Sequence, residues 1–263
     1  MPSIHVRALL FAALVVPTLQ ARPDEFPAAA ATTTWIVPSA AHYTPGAGWS
    51  LWTTGIIVTN PTNQSTNVTF KFLGHDVDGT GGDEVTFNVP EGRVLPFFNA
   101  LVQIFGIPLR WGAIRITSPL AGLVIQTETS WTLPGPYPGG GTVGQTVPAL
   151  GAADFVGAER KTLAPIREFT DFRTNLVLAN ATEAPLTAHL ALYDEYGGLL
   201  GERDVDLPPL GMTQLSRVAS SLGGSDLFAG RLSVSTPTPG GLVAAYASVI
   251  DNTTNDPRTL LPR

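Results

Sequence analysis

Apolar and polar residues alternate along most of this chain in short runs. Ile56 and Val58, Phe70 and Phe72, Phe87 and Val89, and Ile114 and Ile116 each stand two positions apart. That is the period of a strand with one face turned to a core. The same spacing returns at Leu176 and Leu178, Leu190 and Leu192, Val205 and Leu207, and Leu232 and Val234. Gly, Pro, Asn and Asp cluster between the runs and supply turns. Two stretches break the period, FFNALVQIFG (97–106) and LSRVASSLGG (215–224). Their apolar spacing is helical and both end at glycine, which predicts one short crossover helix in each part of the chain.

The runs also repeat in order. TGIIVTNPT (54–62) returns as TNLVLANAT (174–182), with Trp52 over Phe172 just upstream. WIVPS (35–39) lies over TLAPI (162–166), which sets Trp35 against Thr162. VTFKF meets AHLAL, TFNVP meets DVDLP, and GAIRITSP meets GRLSVSTP. GLVIQTETSW (122–131) meets GLVAAYASVI (241–250), placing Glu128 over Ala247 and Trp131 over Ile250. Gaps fall only in turn-like text, so the chain reads as a duplication. A period this long marks tandem domains, since solenoid units run to about 20–50 residues. The expected fold is all-β: two tandem Ig-like antiparallel β-sandwich domains at 34–150 and 161–263, each with its crossover helix, joined by a Gly- and Ala-rich linker at 151–160. TVPAL (146–150) and RTLLP (258–262) are the candidate last strands of the two units, and the aligned Trp52 and Trp131 are expected in the core.

FRTNLVLAN (172–180), LYDEYGGLLG (192–201) and YASVIDNTTNDP (246–257) resemble the tandem Ig-like β-sandwich repeats of exported bacterial proteins. The second unit carries these phrases closely, whereas the first has TTGIIVTN in place of RTNLVLAN. The resemblance implies a secreted modular β protein. Its phrases mark turns and strand ends, and it names no reaction.

Composition agrees with a β-rich chain: 44% hydrophobic, 14% charged, with 27 Gly and 23 Pro in 263 residues. The formal charge is −6 and lysine occurs only at 71 and 161, which argues against nucleic acid as a partner. His5 and Arg7 lead into the apolar run ALLFAALVV (8–16), followed by Pro17 and Ala21. Residues 1–21 therefore read as a secretory signal peptide and 22–33 as an N-terminal arm. The apolar run is too short for a membrane-spanning helix. The expected location is secreted, extracellular or at the cell surface. The chain has no cysteine, which excludes disulfides, thiolate metal sites and a cysteine nucleophile.

Candidate chemistry is thin. The histidines of the expected mature chain, His42, His75 and His189, are scattered, and no G-x-S-x-G elbow occurs, so no catalytic residues are assigned. Glu128, on a predicted strand near Trp131, is the one carboxylate weighed for glycoside hydrolysis. The sharpest polar cluster is HDVDGTGGDE (75–84). Asp76, Asp78, Asp83 and Glu84 have the oxygen ligands a calcium ion takes, and Gly79, Gly81 and Gly82 permit a tight loop. The other reading of the same text is a solvated hairpin tip. Asn63, Asn67, Asn180 and Asn252 head Asn-x-Ser/Thr triplets, as turn-rich text often does.

All five tryptophans lie in the first unit, and Trp49 sits in AHYTPGAGW (41–49), an insertion the second unit lacks. Trp35, Tyr43, Trp49 and Tyr137 are thus candidates for a ligand-contacting aromatic patch, against the alternative of a larger core capped by the longer loop. The expected function is a secreted or surface-associated structural or adhesive binding protein without catalytic activity, meeting a protein or glycan surface. The alternatives are a carbohydrate-binding module using the first unit's aromatics, or a filament subunit that self-associates by strand exchange through its arm.

Overall fold

A computed structural model describes residues 32–45, 50–133 and 141–263. The expected signal peptide at 1–21, most of the expected arm at 22–33, Trp49 and Tyr137 lie outside the described residues. Among the described residues no helix is long and apolar enough to cross a membrane.

The protein is all-β, built from antiparallel sheets. The first half runs β1 (Thr33–Pro45), β2 (Leu51–Thr59), β3 (Thr66–Gly74), β4 (Glu84–Val89), β5 (Val94–Phe97), α1 (Ala100–Phe105), β6 (Trp111–Ser118), β7 (Val124–Leu133) and β8 (Gly141–Gln145). The second runs β9 (Lys161–Glu168), β10 (Phe172–Asn180), β11 (Leu186–Tyr193), β12 (Leu199–Leu207), β13 (Met212–Leu215), α2 (Val218–Ser221), β14 (Leu227–Ser235), β15 (Val243–Asp251) and β16 (Pro257–Leu260).

In the second half the sheets are β12-β11-β14-β9 and β13-β10-β15-β16. The first half pairs its strands in the same order, β4-β3-β6-β1 and β5-β2-β7-β8, except that β1 continues past its bulges to pair with β2 and joins the two sheets. The extra length lies in the insertion at 41–49. Each half encloses its own apolar core. Ile56, Val58, Phe70, Phe72, Val89, Ile114 and Ile116 fill the first, with Phe87 packed at its edge. Leu176, Leu178, Leu190, Leu192, Val205, Leu207, Leu232 and Val234 fill the second. Each such side chain taken from water contributes about 1.5–3 kcal/mol.

The repeated phrase does the same structural work twice. The Thr54 hydroxyl accepts from the Ala41 amide, and the Thr174 hydroxyl accepts from the Arg167 amide, so each threonine ties the first strand of its half to the second. At the other end, buried Asn60 donates to the carbonyls of Gln64 and Val89 and accepts from the Thr62 amide and hydroxyl. Asn180 repeats this with Ala184, Pro208 and Thr182. The Asn180 amide is wholly buried and committed to its turn, unlike the exposed Asn63 and Asn67.

The halves share a third apolar cluster. Ile36, Leu73, Ala113 and Leu150 pack against Val177, Ala179, Met212 and Ala244, and the described residues belong to one compact unit. The linker takes part: Phe155 and Val156 are buried, and Val156 exchanges both backbone hydrogen bonds with Val243. TVPAL is not the last strand of the first half. That strand is β8, at 141–145, and Leu150 instead exchanges backbone bonds with Ile36 at the joint.

Strand registers also correct the alignment of the late strands by one residue. Gly55 faces Glu128 and Asn175 faces Ser248, so Glu128 corresponds to Ser248 and Trp131 to Asp251. A slip of one residue moves a side chain to the opposite face. Trp131 accordingly does not fill the core, and Trp52, whose place over Phe172 is unchanged, does not fill it either. They are half-buried and tilt against each other at 6.5 Å. The same correction applies at the first strand, where Trp35 pairs with Ile116 and Lys161 with Val234, so Trp35 corresponds to Lys161.

Candidate functional site

The outer face of the β13-β10-β15-β16 sheet changes character along its length. Val177, Ala179, Ala244 and Met212 are apolar and pressed against the first half. Further along, the same face carries Arg173, Asn175, Ser248 and Gln214, and there it parts from the first half to leave a cleft of about 500 Å3. The opposite wall comes from the first half, with Ser39 and Ala41 of β1, Trp52, Trp111 and Thr129. Buried Tyr246 lies where the apolar and polar zones meet.

Two arginines dominate the electrostatics. Arg173 donates through Nη1 to Asn252 Oδ1 at 2.8 Å and through Nη2 to Asn255 Oδ1 at 3.0 Å. Both partners are neutral, so they orient the guanidinium without cancelling its charge. Asn252 is itself held, donating to the Thr170 carbonyl. Burial first, and the nearby Arg217 charge second, pull Arg173 below its ordinary pKa. Arg217 stands at a left-handed backbone position, φ 52°, just before α2, and its amide donates to Asn175 Oδ1. Its exposed guanidinium has no partner among the described residues. Burial pushes the Tyr246 hydroxyl up to about 12, with a hydrogen bond to Ser39 as the smaller, opposing effect. No Asp, Glu or His is among the described lining residues.

The cleft can therefore orient an anion and hydrogen-bond to polar groups around it. Gln145 Oε1 accepts from the Ser248 hydroxyl at 3.0 Å, which ties the first half to β15 at the edge of the cleft. Trp111 is fixed from behind by His75, stacked at 3.7 Å. Burial lowers the His75 pKa, with neighbouring Asp76 partly countering.

The residues singled out from sequence do not converge. Trp35 is half-buried against the first core, and Tyr43 is exposed eight residues further along β1. That is roughly 25 Å of extended backbone. Tyr43 stacks on His42 at 4.0 Å, and His42 Nδ1 bonds the Asn99 amide at 2.8 Å, beside exposed Phe98. Burial lowers the His42 pKa. Glu128 is exposed on β7, outside the cleft.

The acidic stretch at 75–84 is a joint between the halves. The Asp76 amide donates to the Met212 carbonyl at 2.8 Å, the Gly79 amide to the Pro209 carbonyl at 2.9 Å, and the Thr213 hydroxyl to Asp76 Oδ1 at 2.6 Å. A side chain at 79 would meet the Leu210 carbonyl oxygen at 2.2 Å, so only glycine permits this approach. Asp78 turns back on the Thr80 amide and hydroxyl, and these bonds hold its carboxyl below the usual range. Glu84 lies 4.0 Å from Lys71. Among the described residues no three His, Asp or Glu side chains group so as to hold a metal ion.

Trp52, Trp111, Arg173 and Arg217 are what sequence reasoning missed. One signal was available: GLVAAYASVI is apolar on both alternating faces, the mark of a strand covered on two sides. Comparison with known proteins adds no relative, since no family model, curated protein or solved structure matches the chain.

Proposed function

We propose that this chain is an exported protein of two tandem Ig-like β-sandwich modules that works by binding, without catalysis, at the cell surface or outside it, with the cleft between its modules as the ligand contact. The paired sheets around two separate cores support the modular reading, and the signal-like N-terminus supports export. The observation that carries the binding reading is the cleft's chemistry. It offers a volume of about 500 Å3, within the roughly 300–1,000 Å3 of small-molecule sites, lined by tryptophan, amide, hydroxyl and guanidinium groups. The titratable groups among its described lining residues are two arginines and a tyrosine raised to about 12, a set suited to holding an anion. The docked loop and buried linker favour one rigid two-module body over two tethered binders.

The test is a panel of polysaccharides, peptides and cell-envelope fractions titrated into the mature chain, read by tryptophan fluorescence. Saturable binding is expected in wild type and in Tyr43→Ala, and its loss is expected in Gln214→Trp, which fills the cleft. Binding that survives Gln214→Trp in a folded protein, or a panel that yields none, would overturn the reading.

A further inference from the structure

Resting on that reading, we infer that the cleft recognises a carboxylate-bearing sugar, such as a uronic-acid residue of an acidic polysaccharide, through Arg173 and Arg217. Three features of the cleft converge on that ligand. The chain carries a formal charge of −6, yet this cleft holds two guanidinium groups and no carboxylate among its described lining residues. Arg217 also borders Glu168 and Asp226 on its other side, whereas on the cleft side the two guanidinium groups face only neutral polar and aromatic residues among the described lining.

The donors are also free. A guanidinium has five N–H groups in a planar fork that matches a carboxylate, and Arg173 spends only two of them on Asn252 and Asn255. Arg217 spends none on the described residues. Those two asparagines hold the Arg173 fork in place, so little side-chain freedom is lost when a ligand arrives.

The remaining lining separates a sugar acid from a bare inorganic anion. Asn175, Gln214, Ser216 and Ser248 surround the arginines with neutral donors and acceptors that suit hydroxyl groups. Trp52 and Trp111 stand on the opposite wall, and an indole face packs well on the apolar face of a pyranose ring. An inorganic anion would use the arginines and leave both of these features idle.

The experiment titrates the mature chain with a trimer of galacturonic acid, the neutral galactose trimer, and inorganic phosphate and sulfate, using calorimetry and tryptophan fluorescence. The acidic trimer is expected to bind at least about 10-fold more tightly than the neutral one, with an affinity that falls as salt rises. Arg217→Gln is expected to weaken the acidic trimer by about 10- to 100-fold while the melting temperature stays unchanged. Arg173→Lys keeps the charge but loses the fork, and is expected to weaken binding as well. Equal affinity for both trimers would overturn the anion inference and leave the cleft as a neutral-glycan site. Phosphate or sulfate binding as tightly as the acidic trimer would overturn the sugar. Acidic binding unaffected by Arg217→Gln would place the anion elsewhere. If neither trimer binds but a peptide or envelope fraction does, the sugar inference falls and the binding reading stands.

Discussion

The β3–β4 and β11–β12 turns hold the same place in the two halves and meet opposite fates. The second is a free hairpin tip: Asp194 accepts from the amides of Tyr196 and Gly198, Gly197 takes φ 89°, and Tyr196 is 91% exposed. The first carries more acids and more glycine, yet it docks on 209–213 of the other half. Acidic, Gly-rich text suits a solvated turn and also suits a turn that must bring its backbone against another backbone. The difference lies in the surface each turn meets, and no local pattern encodes that.

A second pair of positions makes the same point. The Ala41 and Arg167 amides donate to equivalent threonine hydroxyls, so the residues after them, His42 and Glu168, correspond. Each serves the short helix of its half. His42 bonds Asn99, whose side chain caps α1, whereas the buried Glu168 carboxylate accepts directly from the Ala219 and Ser220 amides at the start of α2. One fold position thus takes an imidazole or a carboxyl group, according to what its partners supply.

Substitutions at paired positions separate what the halves share from what differs between them. Asn60→Ala and Asn180→Ala strip equivalent buried turns of their hydrogen bonds, and each is expected to cost about 2–4 kcal/mol in denaturant unfolding. A large cost in one half and none in the other would show that the two networks are not equivalent. Gly79→Ala forces the docked loop off the Leu210 carbonyl and is expected to cost about 1–3 kcal/mol. Gly81→Ala, with open space around it, is expected to change stability by under about 0.5 kcal/mol.

Acid should act mainly on the first half. His42 and His75 are both lowered from 6.5 by burial, so the unfolded chain binds more protons below that pH. Their contribution is complete above pH 6.5 and declines as pH falls from 6.5 toward the lowered values. Melting temperature is expected to drop from pH 7 to pH 5, and His42→Gln is expected to flatten that slope. The smallest effect is expected at the free turn: Tyr196→Ser should leave stability within about 0.5 kcal/mol.

The cores were legible from sequence because a period of two names inward residues directly, as Ile56, Val58, Leu176 and Leu178 do. Both crossover helices were legible from helical spacing that ends at glycine, although the regular turn of the second is only Val218–Ser221. The cleft was not legible. Arg173 and Arg217 come from different elements, and they meet across a sheet whose outward face looked like ordinary solvent-facing text. The one-residue slip at Trp131 hid the rest, since alternating strands align nearly as well one step out of register whenever small residues such as Ala244, Ala245 and Ala247 fill them.

The proposed ligand contact lies between the halves. Hydrogen exchange of the chain, with and without the galacturonic acid trimer, tests it directly. Slowed exchange is expected only in the backbone around 173–175, 214–217 and 111. Protection centred instead on Tyr43 and Phe98, or no change at a saturating concentration, would contradict it.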